Sequence, residues 1–79
     1  MTRAFIRIKL FATLNKFMPK DGADTVSFFP GMTVRSLLSQ LHIPESEAKL
    51  IFINGKKASL GTELHPGDRV GIFPPVGGG

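Results

Sequence analysis

PGMTVRSLLSQLHIP, Pro30 to Pro44, changes the period of the chain: Val34, Leu37, Leu38 and Leu41 fall at i, i+3, i+4 and i+7, the apolar stripe of an amphipathic helix. Thr33 precedes the first periodic residue, and its hydroxyl is placed to accept from a free amide of the first turn, so it is the expected N-cap. Pro44 has no amide hydrogen to donate to a further turn and is the expected stop. A short helix with one apolar face needs another layer to cover that face, and the sequence on either side reads as strands.

Working outward, AFIRIKLF (Ala4 to Phe11) alternates Ile6, Ile8 and Leu10 with Phe5, Arg7 and Lys9, which predicts a strand with one buried face. TLNKFMPKDGAD (Thr13 to Asp24) reads as a long loop punctuated by Pro19 and Asp21-Gly22. TVSFF alternates again, with Val26 and Phe28 opposite Thr25 and Ser27, and is expected to form a hairpin with the first strand. Beyond the helix, ESEAK reads as a polar connector, and LIFIN (Leu50 to Asn54) as a strand that stops at the hairpin signal Asn54-Gly55. After the turns GTEL and HPGD, RVGIF (Arg69 to Phe73) makes the last strand, with Val70 and Ile72 inward and Arg69, Gly71 and Phe73 on the other face. The reading is an α+β domain over residues 1–75, one helix laid across one sheet, followed by a flexible tail over residues 76–79.

The 79 residues fit a single domain, 42% hydrophobic against 20% charged, which is a folding composition rather than a disordered one. The chain has no cysteine, which excludes disulfides, thiolate metal sites and any cysteine nucleophile. MTRAFIRIKLF mixes basic and apolar residues without a continuous apolar block, so neither a signal peptide nor a membrane span is expected and a cytoplasmic location is the default. The net charge of +4 suits an acidic partner, but the cations form no run longer than two and the aromatics are all Phe at strand-like positions, which argues against nucleic acid.

Catalytic groups are sparse. His42 falls at the helix end and His65 in a His-Pro-Gly turn, neither with a second ligand at metal spacing, so no metal is expected. Glu45 and Glu47 read as a solvated connector, and no phosphate-cradling glycine loop is present. So short a chain has little volume for an active-site pocket, and no catalysis of its own is expected.

The chain instead ends on VGIFPPVGGG, and two readings of that end stand side by side. It is either a frayed terminus or a segment built to enter another protein, because a glycine chain without Cβ atoms threads a channel that other sequences do not fit. Extended, Val76 to Gly79 would reach on the order of 14 Å. A terminal carboxylate is ionised at neutral pH and a poor electrophile, so acyl chemistry on it requires activation, most simply by ATP on a partner enzyme. Phe73 likewise has two readings, a core residue or an exposed apolar anchor.

FIRIKLFATL, TVRSLLSQL, INGK, HPGDRVGIFPPV and the final GGG together resemble the ubiquitin-like β-grasp sulfur carriers, and GDRVGIFPPVGGG is similar to the end of the molybdopterin synthase small subunit. The thiamine-pathway sulfur carriers share the fold and the Gly-Gly end. The resemblance implies a ubiquitin-like β-grasp fold with one mixed sheet of about four to five strands. It also implies a carrier rather than an enzyme. A ubiquitin-activating-type enzyme would use ATP to adenylylate Gly79, and a sulfur donor would displace AMP to leave a thiocarboxylate. A sulfur-accepting synthase, of the molybdopterin or thiazole type, would then receive the sulfur. On this resemblance Gly77 and Gly78 thread the partner's active site, while Phe73, Pro74, Pro75 and Val76 dock on the partner. Arg7 and Arg69 would lie beside them if the first and last strands are neighbours, the prolines stiffening the chain as it leaves the sheet. The implied protein binds no cofactor and is a monomer when alone. A departure from the molybdopterin pattern is Gly77, which stands where a non-glycine residue is usual, and Val-Gly-Gly-Gly also occurs among thiamine-type carriers. The receiving pathway therefore stays open between a molybdenum or tungsten cofactor and thiamine, and a ubiquitin-like protein modifier or interaction module is the other reading.

Overall fold

The computed structural model describes residues 4–18 and 24–75. Five strands, β1 (Phe5–Leu10), β2 (Thr25–Ser27), β3 (Leu50–Ile53), β4 (Lys56–Ala58) and β5 (Arg69–Phe73), form one open sheet in the order β2-β1-β5-β3-β4. A single α-helix, α1 (Val34–Leu41), packs across it, giving the ubiquitin-like β-grasp arrangement. β1 and β5 run parallel at the centre of the sheet, and every other pairing is antiparallel. The last strand in sequence is therefore a central strand in space, hydrogen-bonded on both edges, and it delivers the chain to Pro74 from the middle of the sheet.

The period-two alternation sorts side chains as the sequence requires. Ile6, Ile8 and Leu10 of β1, Ile51 of β3, and Val70 and Ile72 of β5 share a face with Val34, Leu37 and Leu38 of α1. Each such side chain, fully buried, contributes roughly 1.5–3 kcal/mol from water exclusion. Met32, Ile43 and Leu64 close the ends of this core.

The start of α1 is fully satisfied. The Thr33 hydroxyl accepts from the Ser36 amide at 3.2 Å, and the Ser36 hydroxyl accepts from the Thr33 amide at 3.3 Å, a reciprocal capping box. The amides of Val34 and Arg35 donate to the carbonyls of Thr62 and Leu60, at 3.1 and 2.9 Å, so a segment remote in sequence finishes the job. The helix stops earlier than Pro44. His42 turns left-handed at φ 63, and the Ile43 amide donates back to the Leu38 carbonyl at 2.9 Å, which ends α1 before the proline is reached. The Asn54-Gly55 turn has φ of 53 and 83, the two positive values of a tight hairpin, and it joins β3 to β4, a strand that the sequence showed only as a short piece.

The expected loop between β1 and β2 is a 3-10 helix over its first part, Ala12–Phe17. Ala12 takes φ 52, an unusual value for a residue with a Cβ, and this corner carries Leu14 into the core at 0% exposure. Burial of Leu14 is the reason for the extra structure: a solvated loop would leave it in water. Residues 19–23, including Pro19 and Asp21-Gly22, lie outside the described residues. The polar connector is also ordered, as a single 3-10 turn over Glu45–Glu47.

Candidate functional site

Only one face of the sheet is covered by α1. On the other, the register sets Arg7 beside Arg69 and Lys9 beside Gly71 across the parallel β1–β5 pair, and Phe52 of β3 beside Gly71 on its other edge. Phe11 continues the β1 alternation by one residue and comes to lie against Phe73. These side chains, with Gly55 and Asp24 at the rim, enclose an open groove of ≈ 560 Å³. The short chain thus has more concave surface than its length suggests, shaped as a trough on a sheet rather than as an enclosed pocket.

Aromatic packing fixes the groove's upper wall. The Phe11 and Phe73 rings stack at 4.0 Å between centroids and 3° between planes, and Phe52 meets Phe73 edge-on at 5.8 Å and 84°. The Lys9 ammonium lies over the Phe11 ring, 5.5 Å from its centroid. The backbone at this point is held from both sides: the Phe11 amide donates to the Ile72 carbonyl at 3.1 Å and the Lys49 amide to the Phe73 carbonyl at 2.9 Å. Phe73 is half-buried and outside the core, on the face away from α1, so its reading as a core residue does not hold.

The cations form the other wall. Arg7 pairs with Asp24 at 3.7 Å, with both side chains more than half exposed. Among the described residues no carboxylate pairs with Lys9 or Arg69, so the groove carries a net positive charge beside its aromatic wall. At the far end of β5, Asp68 ties the turns together. Its carboxylate accepts from the His65 amide at 2.8 Å and from the Asn54 side-chain amide at 2.9 Å, while the Asn54 side-chain oxygen accepts from the Arg69 amide at 3.0 Å. This knot sets where β5 begins.

Of the residues singled out from the sequence, Arg7, Arg69 and Phe73 are brought together on the open face. Pro74 is half-buried beside them and Pro75 is exposed. Val76, Gly77, Gly78 and Gly79 lie outside the described residues. Among the groove residues that were missed are Lys9, Phe11, Phe52 and Gly71. For Lys9, Phe11 and Gly71 the shared facing was present as parity, since Phe5, Arg7, Lys9 and Phe11 share one face of a strand and Arg69, Gly71 and Phe73 one face of another, but the pairing that joins these faces to Phe52 was not. His42 and His65 are both exposed, and among the described residues no group of three or more His, Asp or Glu could hold a metal ion. No helix among them is long and apolar enough to cross a membrane.

Comparison with known proteins places these features. The model of the ThiS family matches residues 8–79. Among solved structures, a Pyrococcus furiosus protein assigned as molybdopterin converting factor, subunit 1, is similar at 28% identity and a TM-score of 0.63, over 92% of this chain and 99% of that one. SAMP1 of Haloferax volcanii is similar at 27% identity and a TM-score of 0.64, over 95% of this chain and 99% of that one. A second structure of the Haloferax volcanii small archaeal modifier protein 1 is similar to the same degree, 27% and 0.64. A search of curated proteins finds no match.

Proposed function

Because the chain belongs to the ThiS family of ubiquitin-like sulfur carriers, which are carriers and not catalysts, we propose that it holds its sulfur as a thiocarboxylate on Gly79. The observation that carries this reading is the course of β5. A central strand, fixed on both edges, ends at a clamped aromatic and passes directly into Pro74-Pro75 and the glycines. Stiff exit followed by side-chain-free chain is what a carboxylate needs to be held out into another protein's active site.

The chemistry follows from the weakness of a carboxylate as an electrophile. An oxygen of the Gly79 carboxylate attacks the α-phosphorus of ATP in the partner enzyme and expels pyrophosphate, leaving an acyl-adenylate. Sulfur at the sulfide level, as hydrosulfide, then attacks the carbonyl carbon and expels AMP, and loss of the thiol proton to solvent leaves the thiocarboxylate. Gly77 and Gly78 thread the partner's channel. Phe73, Pro74, Pro75 and Val76 dock beside its mouth, with Arg7 and Arg69 facing acidic groups. This chain binds no cofactor in the cycle, and it is a monomer that forms larger species with its partners.

The receiver we favour is a synthase that builds the molybdenum or tungsten cofactor, a reading supported by the likeness to the Pyrococcus molybdopterin converting factor subunit. A thiazole-forming synthase of thiamine biosynthesis is the alternative receiver. The likeness to the archaeal modifier protein favours a second use of the same adenylate, transfer of Gly79 to a lysine of a target protein. The intact mass of the protein isolated from its own cells under non-reducing, non-acidic conditions tests the first step. Replacement of one oxygen by sulfur, mapped to the terminal peptide, is the expected result. Deletion of Gly78 and Gly79 is expected to leave melting unchanged and abolish ATP-dependent activation; activation that survives the deletion refutes the proposal.

A further inference from the structure

Asn54-Gly55 is the one Asn-Gly step in the chain; Asn15, the other asparagine, precedes Lys16. A glycine after asparagine presents a backbone nitrogen with no side chain to hinder its approach to the carboxamide carbon. Asn54 and Gly55 are both exposed to water, and nothing among the described residues lies within 4 Å of where a Gly55 Cβ would stand. What restrains the pair is hydrogen bonding. The Asn54 carboxamide is held at both ends: Nδ2 donates to Asp68 Oδ1 at 2.9 Å, and Oδ1 accepts from the Arg69 amide at 3.0 Å. The Asn54 amide adds a third bond, to the Arg69 carbonyl at 2.9 Å. These partners lie at the start of β5, on one edge of β3, whereas Gly55 leads the chain to β4 on the opposite edge. For the Gly55 nitrogen to reach Cγ, the carboxamide must turn away from β5 and lose both of its side-chain bonds.

We propose that Asn54 is a deamidation site that its bonds to Asp68 and Arg69 keep latched in the folded chain. When the latch opens, the Gly55 nitrogen, its proton lost to a base in solution, bonds to Asn54 Cγ. The Cγ–Nδ2 bond breaks and the nitrogen leaves as ammonia, taking up a proton from water. Water then opens the resulting succinimide at either carbonyl and leaves an aspartyl or an isoaspartyl residue at position 54, with no change of oxidation state. Both products keep the latch from closing again. The new carboxylate sets a second negative charge against Asp68 and has no hydrogen to donate to it. The isoaspartyl form also adds a carbon to the main chain of a two-residue turn, which disturbs the Ile53–Lys56 pairing beside it. Gly55 lines the groove, so the added charge falls at the rim of the cationic face. Because a hairpin closes within microseconds and the succinimide forms far more slowly, the rate measures the fraction of chains in which the latch is open.

The test incubates the wild-type chain, Asp68→Ala, Asp68→Asn and Ile72→Ala at neutral pH, with melting curves in parallel. Mass spectrometry follows amide-to-acid conversion in the peptide from Leu50 to Lys56, and the wild-type chain in guanidinium chloride is the unfolded reference. Folded wild type is expected to deamidate at least about tenfold more slowly than that reference. Asp68→Ala should deamidate at least about fivefold faster than folded wild type, as the loss of a hydrogen-bond acceptor implies. Asp68→Asn, the milder variant, should fall between them. Ile72→Ala loosens the core but leaves the latch in place, so it should melt lower and yet stay near the wild-type rate. Three results overturn the latch: a folded wild type as fast as the unfolded chain, Asp68 variants no faster than wild type, or a rate that simply follows melting temperature across all variants. Asn54→Asp is expected to melt below wild type, and equal melting overturns the claim that the product holds the latch open.

Discussion

The two faces of β5 obey different rules, although they alternate residue by residue along the same five positions. Val70 and Ile72 are 1% and 0% exposed and pack under α1, with β-branched side chains of the kind a central strand favours. Arg69, Gly71 and Phe73, between and beside them, include a glycine and an exposed cation, neither of which improves the sheet. Glycine in a strand interior costs roughly 0.5–1 kcal/mol relative to alanine. The inward face is thus composed for folding, while the outward one carries residues that folding alone does not favour. Arguments from stability stop at the mid-plane of the sheet.

That division is most sharply tested at Ile72. Truncation to alanine removes a fully buried side chain from the centre of the core and is expected to cost about 2–5 kcal/mol. Against the roughly 5–15 kcal/mol total of a small domain, this is enough to populate unfolded chain. Urea denaturation reads it directly. A loss below about 1 kcal/mol would mean that the inward face is less tightly packed than Ile72's burial implies.

Asp68 gives the next largest effect, because it closes the only polar knot at the base of β5 among the described residues. Asp68→Ala leaves the His65 amide and the Asn54 side chain without their acceptor, at a cost of about 1–3 kcal/mol. Chemical denaturation is again the measurement, and Asp68→Asn, which keeps one acceptor oxygen, should recover part of the loss. Equal losses in the two variants would show that charge rather than hydrogen bonding holds the knot.

How much of this was legible in the sequence follows the same division. The inward face was readable because a periodic apolar pattern is local: Ile6, Ile8 and Leu10 announce a strand, and Val34 to Leu41 a helix, without knowledge of what they meet. The β1–β2 segment was misread because its 3-10 helix exists to bury Leu14, a tertiary reason, and because Ala12 adopts a backbone angle that alanine rarely takes. On the outward face Phe73, Arg69 and Arg7 were found, the last by supposing that the first and last strands are neighbours. Phe11, Phe52, Lys9 and Gly71 were missed, since their importance comes from the β1–β5–β3 register, which no spacing within one strand records. Asp68's knot, likewise, joins two turns that are fourteen residues apart.

Phe73→Ala should separate the faces from the other side. The ring is half-buried and makes one stacked and one edge contact, so its removal is expected to cost about 1–2 kcal/mol, less than Ile72→Ala one position away. Its effect on adenylation by the activating enzyme should be larger than that on melting. Equal destabilisation by the two substitutions would place Phe73 among the core residues in energy if not in position. Loss of enzyme affinity well beyond what that modest loss of stability explains is the expected pattern for an anchor.

The smallest effect is expected at Asp24, and with the opposite sign. Its pair with Arg7 is long, at 3.7 Å, and both side chains are well exposed, so Asp24→Asn should change stability by no more than about 0.5 kcal/mol. Asp24 is also the one carboxylate among the residues that line the groove, where Arg7, Lys9 and Arg69 supply the cations. Neutralising it raises the positive potential of the open face, which should speed encounter with an acidic partner at low salt and make little difference at high salt, where the field is screened. Stopped-flow association with the activating enzyme at two ionic strengths measures this. A faster rate at low salt alone, with an unchanged melting curve, would mean that charge on the outward face is set against the partner and not for the fold. A slower rate would mean that the Arg7–Asp24 pair holds Arg7 in the orientation the partner meets.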